Sequence, residues 1–314
     1  MNHLDYNGYF SGRTVLVTGG AGFVGSHLTQ HLATLNCQVR VLDDLSSGYI
    51  SNLEGIDTTF IEGSILDKDI ISRAANRCSI IFHQAAMVSV PRSIENPEIC
   101  NQINLAGTKN IIEAAIAAGI DRVIFASSAA CYGNSPLLPS SETDKIAPES
   151  PYAKSKARGE LLMKHANEID TVSLRYFNIF GSRQDHTSQY AAVVSSFADA
   201  IQHHQTPVIF GDGNQTRDFT HVSNVVHANL LAASSEKTLG GGVFNVGTGR
   251  ATSILQLLRL MQGNDDIKVD FKPSRKGDVQ HSCANIESIS KELGYQPIVE
   301  TATALKELVS PIRN

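Results

Sequence analysis

The apolar positions of this chain gather into short continuous runs through its first half. Five runs read as strands, Thr14–Thr18, Gln38–Leu42, Thr59–Glu62, Ile80–His83 and Arg122–Ser127. Runs this continuous fit strands covered on both faces. Helix candidates lie between them, notably Ser26–Leu35 and Asn104–Ala118, the latter closed by Gly119 in the manner of a helix end. The alternation predicts an α/β fold built on a Rossmann-type, doubly wound parallel sheet. After Tyr152 the pattern loosens, with turn signals at Gly211-Asp212-Gly213-Asn214 and Gly240-Gly241-Gly242. Residues 1–177 are expected to form a nucleotide-binding domain, and 178–314 mainly a smaller α/β substrate lobe. The run Val243–Val246 is expected to bring 220–250 back to the main sheet, so that the two lobes interleave.

Composition narrows the possible partners. At 314 residues the chain exceeds the usual size of one core, which leaves room to bury a cofactor site. A net charge of -5 argues against a polyanion surface, so no nucleic-acid partner is expected. The start lacks a basic region leading into a long apolar run, and nowhere do eighteen apolar residues follow one another. Neither secretion nor membrane spanning is expected. Cys37, Cys78, Cys100, Cys131 and Cys283 are scattered, with no Cys-x-x-Cys pair, which suits reduced thiols in the cytoplasm. No metal site is expected, and the adjacent His203 and His204 read as solvated.

Candidate chemistry begins in TVLVTGGAGFVGSHL. Gly19, Gly22 and Gly25 follow a strand and precede a helix, the context in which backbone amides approach a pyrophosphate. Asp43, closing the second strand, supplies the carboxylate expected at the adenosine ribose, and its charge favours NAD over NADP. The competing reading is that Asp43 or Asp44 only opens the Asp-Leu-Ser-Ser-Gly turn. Tyr152 and Lys156 are one helical turn apart, after Pro151 at a plausible helix start. An ordinary tyrosine near pKa 10 leaves the phenolate about a thousandfold scarce at neutral pH, a deficit of roughly 4 kcal/mol that a nearby ammonium reduces. Ser128 stands at the carboxyl end of a strand, where open parallel sheets place ligands, in position to hold a substrate hydroxyl. For Ser127, a hydroxyl bond to nearby backbone is expected.

Together these residues resemble the extended short-chain dehydrogenase/reductases, and more narrowly their nucleotide-sugar 4-epimerases. The resemblance runs along nearly the whole chain, through TGGAGFVGSHL, FHQAA from Phe82, SSAACYG from Ser127, SPYAKSK from Ser150, RYFNIFG from Arg175 and TRDFTHV from Thr216. It implies an NAD enzyme with Ser128, Tyr152 and Lys156 as its catalytic residues. It assigns Phe23, Val24, His83, Ala85, Ala86, Asn104 and the segment Ser64-Ile65 to the cofactor side, Asn104 also steadying the active-site helix. Ser64 departs from the aspartate usual near the adenine. Asn178 is implied at the sugar diphosphate, Gln184 among the substrate-binding residues, Arg217 and Arg275 at the phosphates, and Asp278 at the uridine ribose.

Departures narrow the reaction further. Sugar 4,6-dehydratases resemble this chain but carry Asp-Glu where Ala129 and Ala130 stand, and decarboxylases usually have a glutamate at Ala130. A dehydratase or decarboxylase is therefore the weaker alternative, and a non-enzymatic NAD-sensing module weaker still, because the trio is complete. Ser282 matches a position that is tyrosine in epimerases restricted to unacetylated sugars. SVPRS from Ser89 and RQDHTSQYAAV from Arg183 also look like epimerases preferring N-acetylhexosamines. The resemblance thus implies interconversion of UDP-N-acetylglucosamine and UDP-N-acetylgalactosamine through a 4-keto sugar, with a strict UDP-glucose 4-epimerase as the alternative. It further implies a homodimer through helices near Asn104–Ala118 and Tyr152–Glu168.

Overall fold

The computed structural model describes residues 6–185, 193–263, 268–274 and 279–309. Seven parallel strands form one sheet: β1 (Thr14–Thr18), β2 (Gln38–Asp43), β3 (Thr59–Glu62), β4 (Ile80–His83), β5 (Arg122–Ser128), β6 (Asp170–Tyr176) and β7 (Gly242–Val246). Their order is β7-β6-β5-β4-β1-β2-β3, the Rossmann-type doubly wound arrangement. The chain reverses its progress across the sheet between β1 and β4, and ligand crevices open at such a point, beyond the carboxyl ends of the strands.

Successive residues of each strand feed different cores, which explains the unbroken apolar runs. Val15 and Val17, Ile80 and Phe82, and Ile124 and Ala126 pack in one cluster. Leu16, Ile81, Val123 and Phe125 pack in another, on the opposite face. A third cluster, including Phe180, Phe197, Phe219, Leu257, Leu258 and Leu305, lies apart from both. The strand β7 pairs with β6 from Gly242↔Val172 to Val246↔Tyr176.

Helix α1 (Phe23–Thr34) begins three residues before the expected start, because Gly22 serves as its N-cap without a side-chain bond. Helix α2 (Gly107–Ala118) ends at Gly119 in the left-handed conformation, as expected, but Gln102–Ala106 ahead of it forms a π-helical turn. Helix α3 (Pro151–His165) is set by Ser150, whose hydroxyl accepts from the Ala153 amide at 3.1 Å, and by Pro151 in its first turn. Arg122, at the start of β5, pairs with Asp170 at 2.7 Å and donates to the carbonyls of Ala232, Ala233, Ser235 and Lys237. It thereby closes the end of the helix Val222–Ser234 against the sheet.

Candidate active site

The glycine turn joins β1 to α1 at the sheet's reversal point. Gly19 has φ +69°, and a Cβ there would lie 2.6 Å from the Ala85 amide nitrogen. At Gly25 an added Cβ would lie 2.1 Å from the Gly19 carbonyl oxygen. Side chains are therefore excluded where β1, β4 and α1 converge. With no side chain capping α1, the first amides of Phe23 and Val24 form a helix terminus suited to an anion. Asp43 ends β2 beside this turn, its carboxylate accepting from the Ala21 amide and from the Leu45 amide, each at 2.9 Å. One oxygen stabilises the turn that follows, as the turn reading expects, and the other supports the glycine loop. Each oxygen keeps a second lone pair for a diol. An uncapped helix end, a crowded glycine cradle and a nearly buried carboxylate fit the diphosphate and ribose of NAD.

A buried hydrogen-bonded string ties this cradle to α2. The Ala85 amide donates to Thr18 Oγ1 at 3.3 Å, Thr18 Oγ1 lies 2.8 Å from His83 Nδ1, and His83 Nε2 lies 3.0 Å from Thr108 Oγ1. Thr108 in turn donates to the Asn104 carbonyl at 2.7 Å. The ends of the string fix the His83 tautomer, with Nε2 donating and Nδ1 accepting. Burial, assisted by the nearby Lys156 charge, holds His83 down at about 3, so it is neutral across the physiological range. Asn104 accepts from the Met87 amide at 2.8 Å and donates to the Met87 carbonyl at 3.1 Å and to Ser155 Oγ at 2.9 Å. Its side chain braces the segment after β4 against α3. On the far side of β2, Ser64 accepts from the Leu66 amide, and the buried Ile65 lies against Gly107.

The trio assembles where β5 meets α3. Ser128 is the last residue of β5, and its Oγ accepts from the Ala130 amide at 3.2 Å. The Tyr152 side chain comes beside Ser128, and the Tyr152 amide donates to Ser93 Oγ at 3.2 Å. Burial pushes the Tyr152 phenol up to about 12, the nearby Ser128 side chain pulling it back only in part. Lys156 Nζ donates to the Ala126 carbonyl at 2.7 Å and lies 6.0 Å from the Tyr152 ring centre. Burial holds the Lys156 ammonium down at about 8, with Cys131, Cys100 and Glu160 acting in the opposite direction.

Ser127 corrects its expectation. Its hydroxyl reaches across to the Glu160 carboxylate on α3 at 2.5 Å rather than to local backbone. Glu160 also binds Arg175 of β6, through Nε at 2.8 Å and Nη2 at 2.7 Å. Sequence patterning missed this cluster, although Glu160 continues the Tyr152, Lys156 spacing by one turn. A cavity of about 350 Å³ opens beside α3, with Glu160 and Arg175 in its wall and none of Ser128, Tyr152 or Lys156. It is separate from the trio.

The expected substrate residues lie on segments that follow the sheet's carboxyl edge. Asn178 is exposed two residues after Tyr176, which pairs with Ser128, and its carbonyl accepts from the Thr220 amide at 2.9 Å. Arg217 is buried, its Nη1 donating to the Thr216 carbonyl at 2.8 Å. The Ser282 amide donates to that same carbonyl at 3.1 Å, which brings Ser282 beside Arg217. Gln184 Nε2 donates to the Ile179 carbonyl at 3.1 Å. Arg275 and Asp278 lie outside the described residues, as does the His186–Ala192 part of the segment from Arg183.

Residues 15–247 match the NAD dependent epimerase/dehydratase family. A curated relative, a putative UDP-glucose 4-epimerase of Methanocaldococcus jannaschii, is 37% identical over 307 residues, spanning 96% of this chain and 98% of its own. The solved UDP-N-acetylglucosamine 4-epimerase of Methanobrevibacter ruminantium, in complex with UDP-N-acetylmuramic acid, superposes with a TM-score of 0.90 at 38% identity, over 95% of this chain and 97% of that one. The UDP-glucose 4-epimerase of Thermotoga maritima with UDP-glucose gives 0.88 at 36% identity, over 94% and 97%. The chain belongs to the NAD dependent epimerase/dehydratase family and is an enzyme with NAD as its cofactor.

Proposed function

We propose that the protein is a UDP-hexose 4-epimerase that interconverts UDP-N-acetylglucosamine and UDP-N-acetylgalactosamine through a 4-keto sugar. The observation that carries the reading is the placing of Tyr152 beside Ser128, with Lys156 one turn away, at the carboxyl edge that also bears the glycine cradle. Ser128 orients the sugar 4-hydroxyl and Tyr152 accepts its proton. Bound NAD supplies the reversible hydrogen acceptor at C4 and a positively charged ring beside the phenol. The tyrosine needs that potential, because a phenol near pKa 12 is ionised about once in 10⁵ molecules at pH 7, a deficit of roughly 7 kcal/mol. Lys156 adds positive charge and holds the cofactor ribose.

Epimerisation requires the keto sugar to turn over and be reduced on its other face. Arg217, with Arg275 and Asp278, grips the diphosphate and uridine more firmly than the sugar is gripped, which leaves the sugar free to turn. Ala129 and Ala130 form the 3-10 turn directly after Ser128 and offer neither acid nor base, which argues against dehydration and decarboxylation. The small, half-buried Ser282 leaves room for an N-acetyl group. A strict UDP-glucose 4-epimerase is the second reading, favoured by the names of relatives such as that of M. jannaschii. We further assign a homodimer through α2 and α3, where Leu161 of α3 and Ile99 of the helix Pro97–Asn101 ahead of α2 are exposed apolar residues.

Purified enzyme, with NAD supplied, should be incubated separately with UDP-N-acetylglucosamine and UDP-glucose while proton NMR follows the anomeric signals. Faster appearance of the galacto product from the acetylated sugar supports the proposal. Reaction of UDP-glucose alone selects the second reading, and no reaction with either refutes both.

A further inference from the structure

Glu160 extends the row of Tyr152 and Lys156 by one more turn of α3. Its carboxylate is clamped to two strands at once, by Ser127 of β5 and by Arg175 of β6. Both partners sit on the α3 face because Ser127 and Arg175 are paired in register. The Arg175 guanidinium also lies 4.7 Å over the Tyr132 ring, whose hydroxyl donates to Asn245 at 2.7 Å. A buried ion pair is poor evidence for stability, since apolar residues of similar volume often replace one without loss. Its position against the candidate site calls for another account.

We propose that Glu160 is a positioning residue whose carboxylate, shared between Ser127 and Arg175, sets the seating of α3 on β5 and β6 and with it the place of Tyr152 and Lys156 beside Ser128. The inference rests on the proposed role for Lys156. The groups facing Lys156 are Tyr152 and Glu160 of α3, His83 of β4, Cys100 of the helix Pro97–Asn101 and Cys131 of the turn after β5. Burial keeps the thiols protonated, Cys131 at about 12, and keeps His83 neutral. Within this set the formal negative charge is that of Glu160, and Arg175 meets it from β6.

The test uses NAD-loaded enzyme labelled with ¹³C at the lysine ε-carbon, the Lys156 resonance being identified by its loss in Lys156→Met. Glu160→Gln should lower the Lys156 titration midpoint by on the order of one to two pH units, the effect of a charge one turn away at a dielectric near 20. The alkaline limb of kcat/KM should move down with it. Glu160→Gln/Arg175→Met removes the burden of an unpaired guanidinium if the single variant folds poorly, and because the lost Arg175 charge acts on Lys156 in the opposite sense from further away, the midpoint should still fall, but by less. A midpoint that fails to fall in Glu160→Gln, or in the double variant where the single one does not fold, overturns the proposal, whatever becomes of activity. A lowered midpoint in an enzyme inert toward UDP-sugars upholds the coupling and sinks the substrate reading instead.

Discussion

Replacing Lys156 with Met should stabilise the fold near neutral pH while abolishing turnover. The buried ammonium is held at about 8 against an ordinary 10.5, a difference of two and a half units, which is roughly 3 kcal/mol of cost to the folded state. Methionine matches the aliphatic length without the charge, but it leaves the Ala126 carbonyl without its donor, a loss of about 1 to 3 kcal/mol. The net gain at pH 7 is then no more than about 2 kcal/mol. Its pH dependence is the sharper signature. Below pH 8 both folded and unfolded Lys156 are protonated and the whole cost is present. Between about 8 and 10.5 the unfolded chain holds a proton that the folded one has released, so the stability of the parent rises with pH. Above that window the cost is gone. Urea unfolding of both NAD-free proteins, followed by circular dichroism at pH 7 and 10, should therefore show the variant losing roughly 2 to 3 kcal/mol relative to the parent across the interval. Other groups, including Tyr152, are common to both proteins and largely drop out of the difference. A difference constant with pH would refute the argument that Lys156 is strained by burial.

Tyr152→Phe should keep the fold and bound NAD yet lower turnover by about 10² to 10⁴-fold or more, read from anomeric NMR signals, and near-normal activity would remove the assigned base. Ser282→Tyr should block the acetylated substrates while sparing UDP-glucose and UDP-galactose, and competition between the two sugar classes in one tube would reveal an unchanged preference. Gly19→Ala should sharply reduce NAD retention, because the φ of +69° costs alanine about 1 to 2 kcal/mol and its methyl would press on the Ala85 amide. Stoichiometric NAD after gel filtration of that variant would count against the cradle. Static light scattering should give twice the chain mass of 33.8 kDa, and a monomer would dismiss the α2 and α3 interface.

Features defined by local spacing were legible in the sequence. The glycine turn declared itself because strand, turn and helix occupy one contiguous stretch, and Tyr152 with Lys156 because one helical turn needs only a separation of four. Strand limits followed the apolar runs, with β2, β5 and β7 each one residue longer than expected, β2 and β5 ending on Asp43 and Ser128 and β7 starting at Gly242. The start of α1 was harder to read, since a glycine N-cap lacks the side-chain oxygen that usually marks one. The π-helical turn at Gln102–Ala106 left no pattern of its own, although it contains the Asn104 that braces both Met87 and Ser155.

The residues that remained hidden are those whose meaning depends on which strands become neighbours. Ser127 looked like a residue for local capping because its carboxylate partner, Glu160, stands thirty-three positions further along the chain. Glu160 comes within reach only after α3 packs on the sheet, and Arg175 only after β6 pairs with β5 so that Ser127 and Arg175 lie side by side. A slip of one residue in that register would turn Arg175 to the opposite face, leaving Glu160 a buried charge without its partner. The string from Thr18 through His83 to Thr108 depends in the same way on β4 entering between β1 and β5. The sheet order therefore does more than carry the cofactor turn. It builds the polar supports behind Ser128 and Ala85, so that the geometry of the candidate site and strand register stand or fall together.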